Sequence, residues 1–124
     1  GFSGNGGTTC VACNSACLTC QMANKNLCAT CNFSSSTPFY YATNQFCYAS
    51  CPSTSYNQTA TFTCIDCTSP CASCTGPAIT QCTSCLGSTL TPYLSGTTCV
   101  STCPVSTVPI NMICQTCTSP CATC

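Results

Sequence analysis

The residues in this sequence with chemistry to offer are its cysteines, and most come in pairs two residues apart. Twenty of the 124 residues are cysteine. Sixteen form C-x2-C pairs, the first at Cys10 and Cys13 and the last at Cys121 and Cys124. Thiolates at that spacing can clasp a tetrahedral metal, work as a redox dithiol, or be consumed in disulfides. Zinc fits poorly, because five four-thiolate sites would add roughly ten negative charges with Lys25 alone to oppose them. A redox dithiol belongs at a strand-to-helix junction, and no helical period surrounds these pairs. Disulfides remain, and they imply an oxidising, extracellular or cell-surface location.

The rest of the sequence offers no reaction. It has no histidine, one acid (Asp66) and one base (Lys25). A general base for a nucleophile and a carboxylate pair for acid–base work are both missing. Asp66, between Cys64 and Cys67, reads as a solvated turn residue. The expectation is a segment that is not an enzyme, with no catalytic, cofactor-binding or metal-binding residues.

Near-zero charge also excludes nucleic acid and anionic membrane surfaces as partners, since both require a basic face. No apolar run approaches the roughly 18–20 residues that cross a bilayer. Leu, Ile, Val and Phe together number only 18, too few for burial to offset a backbone ordering cost of about 1–2 kcal/mol per residue. Disulfides must supply the difference, and reduction is expected to unfold the chain. With so little charge, nothing electrostatic opposes packing against neighbouring repeats or other copies.

The cysteine pattern repeats. C-x2-C-x3-C-x2-C opens at Cys10, Cys64 and Cys114, and after the first two copies the chain continues C-x7-C-x2-C, a longer loop, then C-x3-C-P. This predicts a linker or the end of a preceding unit at 1–9, modules at 10–63 and 64–113, and the start of a third at 114–124. Gly1 is not an initiator methionine and the third module is unfinished, so the sequence reads as part of a longer secreted chain. Eight scattered prolines and the lack of helical periodicity predict almost no helix. A few short β-hairpins are expected, with 37–42 facing 45–48 across Thr43-Asn44, and Tyr93-Leu94 facing Cys99-Val100 across Ser95-Gly96.

Cys71-Ala72-Ser73-Cys74-Thr75-Gly76-Pro77, Cys82-Thr83-Ser84-Cys85 and Cys99-Val100-Ser101-Thr102-Cys103-Pro104 resemble the furin-like cysteine-rich repeats, which also build rod-like parts of growth-factor-receptor ectodomains. The uncharged Ser/Thr/Ala background is similar to that of repeated surface proteins of ciliates and other protists. The resemblance implies a small disulfide-rich fold, an elongated rod of tandem modules. It implies the pairs Cys13–Cys20, Cys17–Cys28, Cys31–Cys47 and Cys51–Cys64, then Cys67–Cys74, Cys71–Cys82, Cys85–Cys99 and Cys103–Cys114, and finally Cys117–Cys124. Cys10 and Cys121 would take partners outside this segment.

Two N-glycosylation acceptors, Asn32-Phe33-Ser34 and Asn57-Gln58-Thr59, fall in the variable loops, and Ser plus Thr total 39 residues. Glycans are therefore expected partners. Aromatic residues concentrate in the first module. They either cover disulfides or form a self-association patch, with Tyr40 and Tyr41 as its candidates. The reading is a structural extracellular protein, a disulfide-laced glycosylated rod of a surface coat, matrix or filament. Its alternatives are a ligand-binding or spacer segment of a receptor ectodomain, and the cysteine-rich tail of a secreted protease.

Overall fold

A computed structural model describes residues 2–4, 10–87 and 90–118. Every regular element among them is a strand of three to eight residues, and no helix occurs among the described residues. The chain divides into two compact units, Gly1–Pro52 with Asn57–Ile65, and Ser53–Tyr56 with Asp66–Cys124.

In the first unit, β1 (Phe2–Gly4) pairs antiparallel with β2 (Cys10–Ala12), so part of the glycine-rich start is a strand. Next, β3 (Cys17–Gln21) pairs with β4 (Asn24–Cys31). A four-stranded sheet follows, built from β5 (Phe39–Tyr41), β6 (Phe46–Tyr48), β7 (Ser55–Gln58) and β8 (Thr63–Asp66) in the order β6-β5-β8-β7, with Ser55, Tyr56 and Asp66 of its last two strands counted in the second unit. The second unit repeats this plan. There β9 (Cys71–Cys74) pairs with β10 (Cys82–Cys85), and β11 (Tyr93–Ser95), β12 (Thr98–Val100), β13 (Thr107–Ile110) and β14 (Ile113–Thr116) make a sheet in the order β12-β11-β14-β13. In each sheet the central contact is parallel, Tyr40 opposite Thr63 and Leu94 opposite Ile113.

The C-x2-C spacing dictates the shape of the smaller sheets. Residues three apart on a regular strand face opposite sides, yet Cys17 and Cys20 are both buried, as are Cys28 and Cys31 and also Cys71 and Cys74. Each strand pair accommodates this with register shifts, between Cys17 and Thr19 and again between Thr19 and Cys20 in the first unit, and beside Ser84 in the second. Such irregularities turn both sulfurs inward. The intervening hydroxyls stay on the outer side and bond across the strands, Thr19 to Thr30 and Ser73 to Ser84, each at 2.6 Å.

Loop hydrogen bonds recur at equivalent positions. The N–H of Cys17 donates to Asn14 O and that of Cys71 to Thr68 O; Cys28 donates to Gln45 O and Cys82 to Thr97 O; Asn32 donates to Ala16 O and Leu86 to Pro70 O; Cys67 donates to Thr54 O and Cys117 to Ser106 O. A repeat visible in the cysteines is thus a repeat of backbone geometry. The two expected hairpins form with adjusted turns. Residues 42–45 connect β5 to β6, closed by the Gln45 N–H on Tyr41 O at 2.8 Å. Gly96-Thr97, rather than Ser95-Gly96, connects β11 to β12, because Ser95 is itself paired with Thr98.

Candidate functional site

The inward sulfurs form the cores. Cys28, Cys31 and Cys82 are each 1% exposed and are the largest fully buried side chains among the described residues. In the first unit Cys17, Cys20 and Cys28 cluster with Cys13, Cys47 and Tyr40 packed against them. The second unit gathers Cys71, Cys74, Cys82 and Cys99 with Leu94 and Tyr56. Tyr56, counted with the aromatics of the first repeat by its place before Cys64, belongs to the second unit's core.

Eight disulfides connect the described cysteines: Cys13–Cys20, Cys17–Cys28, Cys31–Cys47, Cys51–Cys64, Cys67–Cys74, Cys71–Cys82, Cys85–Cys99 and Cys103–Cys114. These are the pairs that the family resemblance implies. Their Cα–Cα distances run from 5.0 Å to 5.8 Å, inside the range a disulfide spans. Equivalent bonds match across the units: 5.0 Å for both Cys17–Cys28 and Cys71–Cys82, and 5.8 Å for both Cys31–Cys47 and Cys85–Cys99.

Strand facing does not decide this pairing. Cys17 stands opposite Cys31 and Cys20 opposite Cys28, yet Cys17 bonds to Cys28 while Cys20 and Cys31 reach outside the strand pair to Cys13 and Cys47. The same holds for Cys71, which faces Cys85 and bonds to Cys82. One bond along the diagonal and two outward bonds tie each small sheet to the chain before and after it. These sulfurs are bonded to one another, which removes them as thiolate ligands for zinc and as free redox dithiols.

Cys117 is disulfide-bonded, while Cys121 and Cys124 lie outside the described residues. Cys10 is an exposed free cysteine on β2, facing Gly4. Asn32 follows β4 directly and begins a turn in which its Oδ1 accepts from the Ser34 N–H at 3.1 Å. Asn57 sits on strand β7 rather than in a loop, and its Oδ1 accepts from the Cys51 N–H at 2.8 Å.

Tyr40 and Tyr41 separate in role. Tyr40 packs against the cystine cluster, whereas half-buried Tyr41 stacks edge-on against Tyr48, ring centroids 6.2 Å apart. Two pairs of residues escaped sequence reasoning. Phe62, two residues before Cys64, packs on Phe33 and Phe39 at centroid distances of 5.5 Å and 5.9 Å. Met112, two residues before Cys114, reaches over Gly87, where an added Cβ would come within contact of its Cε. A cavity of about 160 Å3 adjoins it, its lining made by residues 83–85, Leu94 and residues 111–113. Phe33 and Gly87 each stand two residues after the sixth cysteine of their repeat, a correspondence only the aligned cysteines reveal.

Cystine cores bonded the same way in two successive units, with no helix among the described residues, define an extracellular protein of tandem cysteine-rich repeats. No protein-family model matches the chain. It is 32% identical over 90 residues to "Cysteine repeat modular protein 2" of Tetrahymena thermophila, which covers 69% of this chain and 5% of that protein. It is 34% and 33% identical over 113 and 112 residues to "Proprotein convertase subtilisin/kexin type 5" of Rattus norvegicus and Homo sapiens, covering 90% of this chain and 6% of each. With these relatives and this bonding pattern, the chain belongs to the furin-like cysteine-rich repeats. It spans about one-twentieth of the curated relatives it matches.

Proposed function

We propose that this segment is a non-catalytic structural part of an extracellular or cell-surface protein, a covalently braced series of modules serving a coat, matrix or filament. The observation that carries this reading is the duplication of the whole bonding scheme. Four equivalent disulfides per repeat hold each unit shut around cores made mostly of cystine, which suits a part that must resist proteolysis and strain. One acid and one base in 124 residues leave little to steer a charged ligand and little to oppose lateral packing. No helix among the described residues is long and apolar enough to cross a membrane.

Antibody labelling of unpermeabilised source cells tests the reading. A continuous surface or matrix layer, retained after salt washing and released by reductant, is expected. Label confined to intracellular compartments would refute it. A second reading, a cysteine-rich segment attached to a secreted protease, draws support from the convertase relatives that match 90% of the chain. Co-purification of the label with a peptidase activity on one polypeptide would favour it.

A further inference from the structure

In the first unit Phe62 caps the buried ring of Phe39 and meets Phe33, and the outer faces of Phe33 and Phe62 stay open to solvent. Phe33 is 56% exposed and Phe62 37% exposed, yet their rings lie 5.5 Å apart, a two-ring apolar surface on a chain otherwise rich in hydroxyls. Phe33 is also the central residue of the acceptor Asn32-Phe33-Ser34. The Asn32 Oδ1 is turned onto the Ser34 N–H, and the Asn32 carbonyl accepts from both the N–H and the Oγ of Ser35. The turn is held by the oxygens, so bonding a sugar to Nδ2 leaves those hydrogen bonds in place.

The second unit supplies an internal control. Its position equivalent to Asn32 is Leu86, fixed by the same backbone bond, Leu86 N–H to Pro70 O against Asn32 N–H to Ala16 O. There the acceptor is gone, and so is the ring pair: Gly87 replaces Phe33 and Met112 replaces Phe62, with a cavity beside them. Acceptor and aromatic platform are present together in one unit and absent together in the other. Asn57 has no such platform in its own acceptor, and its Oδ1 serves the Cys51 N–H from within a strand.

We propose that Asn32 carries an N-linked glycan whose first sugar lies on the Phe33–Phe62 pair. In the transfer, the bond from the sugar C1 to Asn32 Nδ2 forms as the C1–O bond to a polyprenyl diphosphate donor breaks. The diphosphate leaves with the bonding electrons, the amide nitrogen gives up one proton that the released diphosphate takes up, and no group is oxidised or reduced. An N-acetylhexosamine has one face of C–H bonds, which matches the electron-rich faces of the rings. The rings thus hold the base of the glycan against the protein and direct its remainder outward.

The test is expression of the full 124-residue chain in a glycosylating secretory host, followed by peptide mapping and by NMR of material trimmed to a single N-acetylglucosamine. Asn32 is expected to be occupied, with the sugar ring protons shifted upfield by several tenths of a ppm and showing contacts to Phe33 and Phe62 ring protons. Phe33→Ser preserves the acceptor and should return those shifts to their values in an unstructured glycopeptide. Phe33→Tyr should restore the upfield positions, which separates stacking from misfolding. An unmodified Asn32 in folded protein from that host overturns the proposal, as do sugar shifts that Phe33→Ser leaves unchanged.

Discussion

The carbonyl of Phe62 accepts from the N–H of Tyr40 at 2.9 Å while Phe62 itself sits in the left-handed region, at φ 51°. Met112 does the same fifty residues later, accepting from Leu94 at 2.8 Å with φ 63°. A bulky residue in this conformation is unusual, at a cost of about 1–2 kcal/mol. Its recurrence at the same step of both repeats marks it as part of the design. The left-handed residue closes the turn from β7 into β8, or from β13 into β14, so that the second strand of that hairpin runs parallel to β5 or β11 and brings Cys64 or Cys114 back to the preceding C-x3-C-P segment.

Two disulfides of equal span allow burial to be separated from chain entropy. Cys71–Cys82 and Cys103–Cys114 both join residues 11 apart, so each should contribute about 3 kcal/mol by loop closure. Cys71 and Cys82 are buried, whereas Cys103 and Cys114 are only half-buried. Replacing Cys71 and Cys82 by alanine is expected to cost about 1–2 kcal/mol more than replacing Cys103 and Cys114, from lost packing. Guanidinium unfolding with the other disulfides intact measures both.

Gly96 and Gln45 hold the same left-handed φ of 61° in the turns of equivalent hairpins. Nothing lies within 4 Å of a Cβ built on Gly96, so Gly96→Ala meets only the backbone cost and should lose about 1 kcal/mol. Gln45→Gly should gain up to about 1 kcal/mol. Paired denaturation curves of the two variants check the opposite signs.

Grafting the ring pair into the second unit tests the equivalence of Phe33–Phe62 with Gly87–Met112. The single substitution Gly87→Phe collides with the Met112 side chain and should destabilise. Adding Met112→Phe should recover stability by a coupling of about 1 kcal/mol, measured by a double-mutant cycle in denaturant. Complete additivity would show that the two positions are not equivalent.

Tyr40 and Tyr41 should behave differently although adjacent. Tyr40→Ser removes a ring packed on the cystine cluster and should cost about 2 kcal/mol of stability. Tyr41→Ser leaves that cluster intact and, on the structural-protein reading, weakens self-association by several-fold in sedimentation measurements. Equal association of Tyr41→Ser and the parent chain would remove Tyr41 from the proposed patch.

The cysteine spacing made the repeat legible, and with the family resemblance it indicated which sulfurs join. The β5–β6 and β11–β12 hairpins were legible from their aromatic and β-branched residues. The hairpins β7–β8 and β13–β14 were not, because polar Ser55–Gln58 and proline-bearing Thr107–Ile110 carry no strand signature of their own and are strands through tertiary pairing. Phe2–Gly4 likewise reads as linker by composition and becomes β1 by pairing with β2. Left-handed Phe62 and Met112 gave no signal, since that conformation is normally announced by glycine or asparagine. The aromatic platform beside Asn32 was hidden because Phe33 and Phe62 stand 29 residues apart and meet only through the fold.

The most direct measurement is disulfide mapping of the native chain by stepwise partial reduction, alkylation and mass spectrometry, since one lysine leaves tryptic digestion little to cut. Diagonal bonds Cys17–Cys28 and Cys71–Cys82, outward bonds from Cys20 and Cys31, and closing bonds Cys51–Cys64 and Cys103–Cys114 are predicted in full yield. Bonds between the facing residues, Cys17 to Cys31 or Cys20 to Cys28, or free thiols at these positions, would contradict the doubly repeated cystine core on which the account rests.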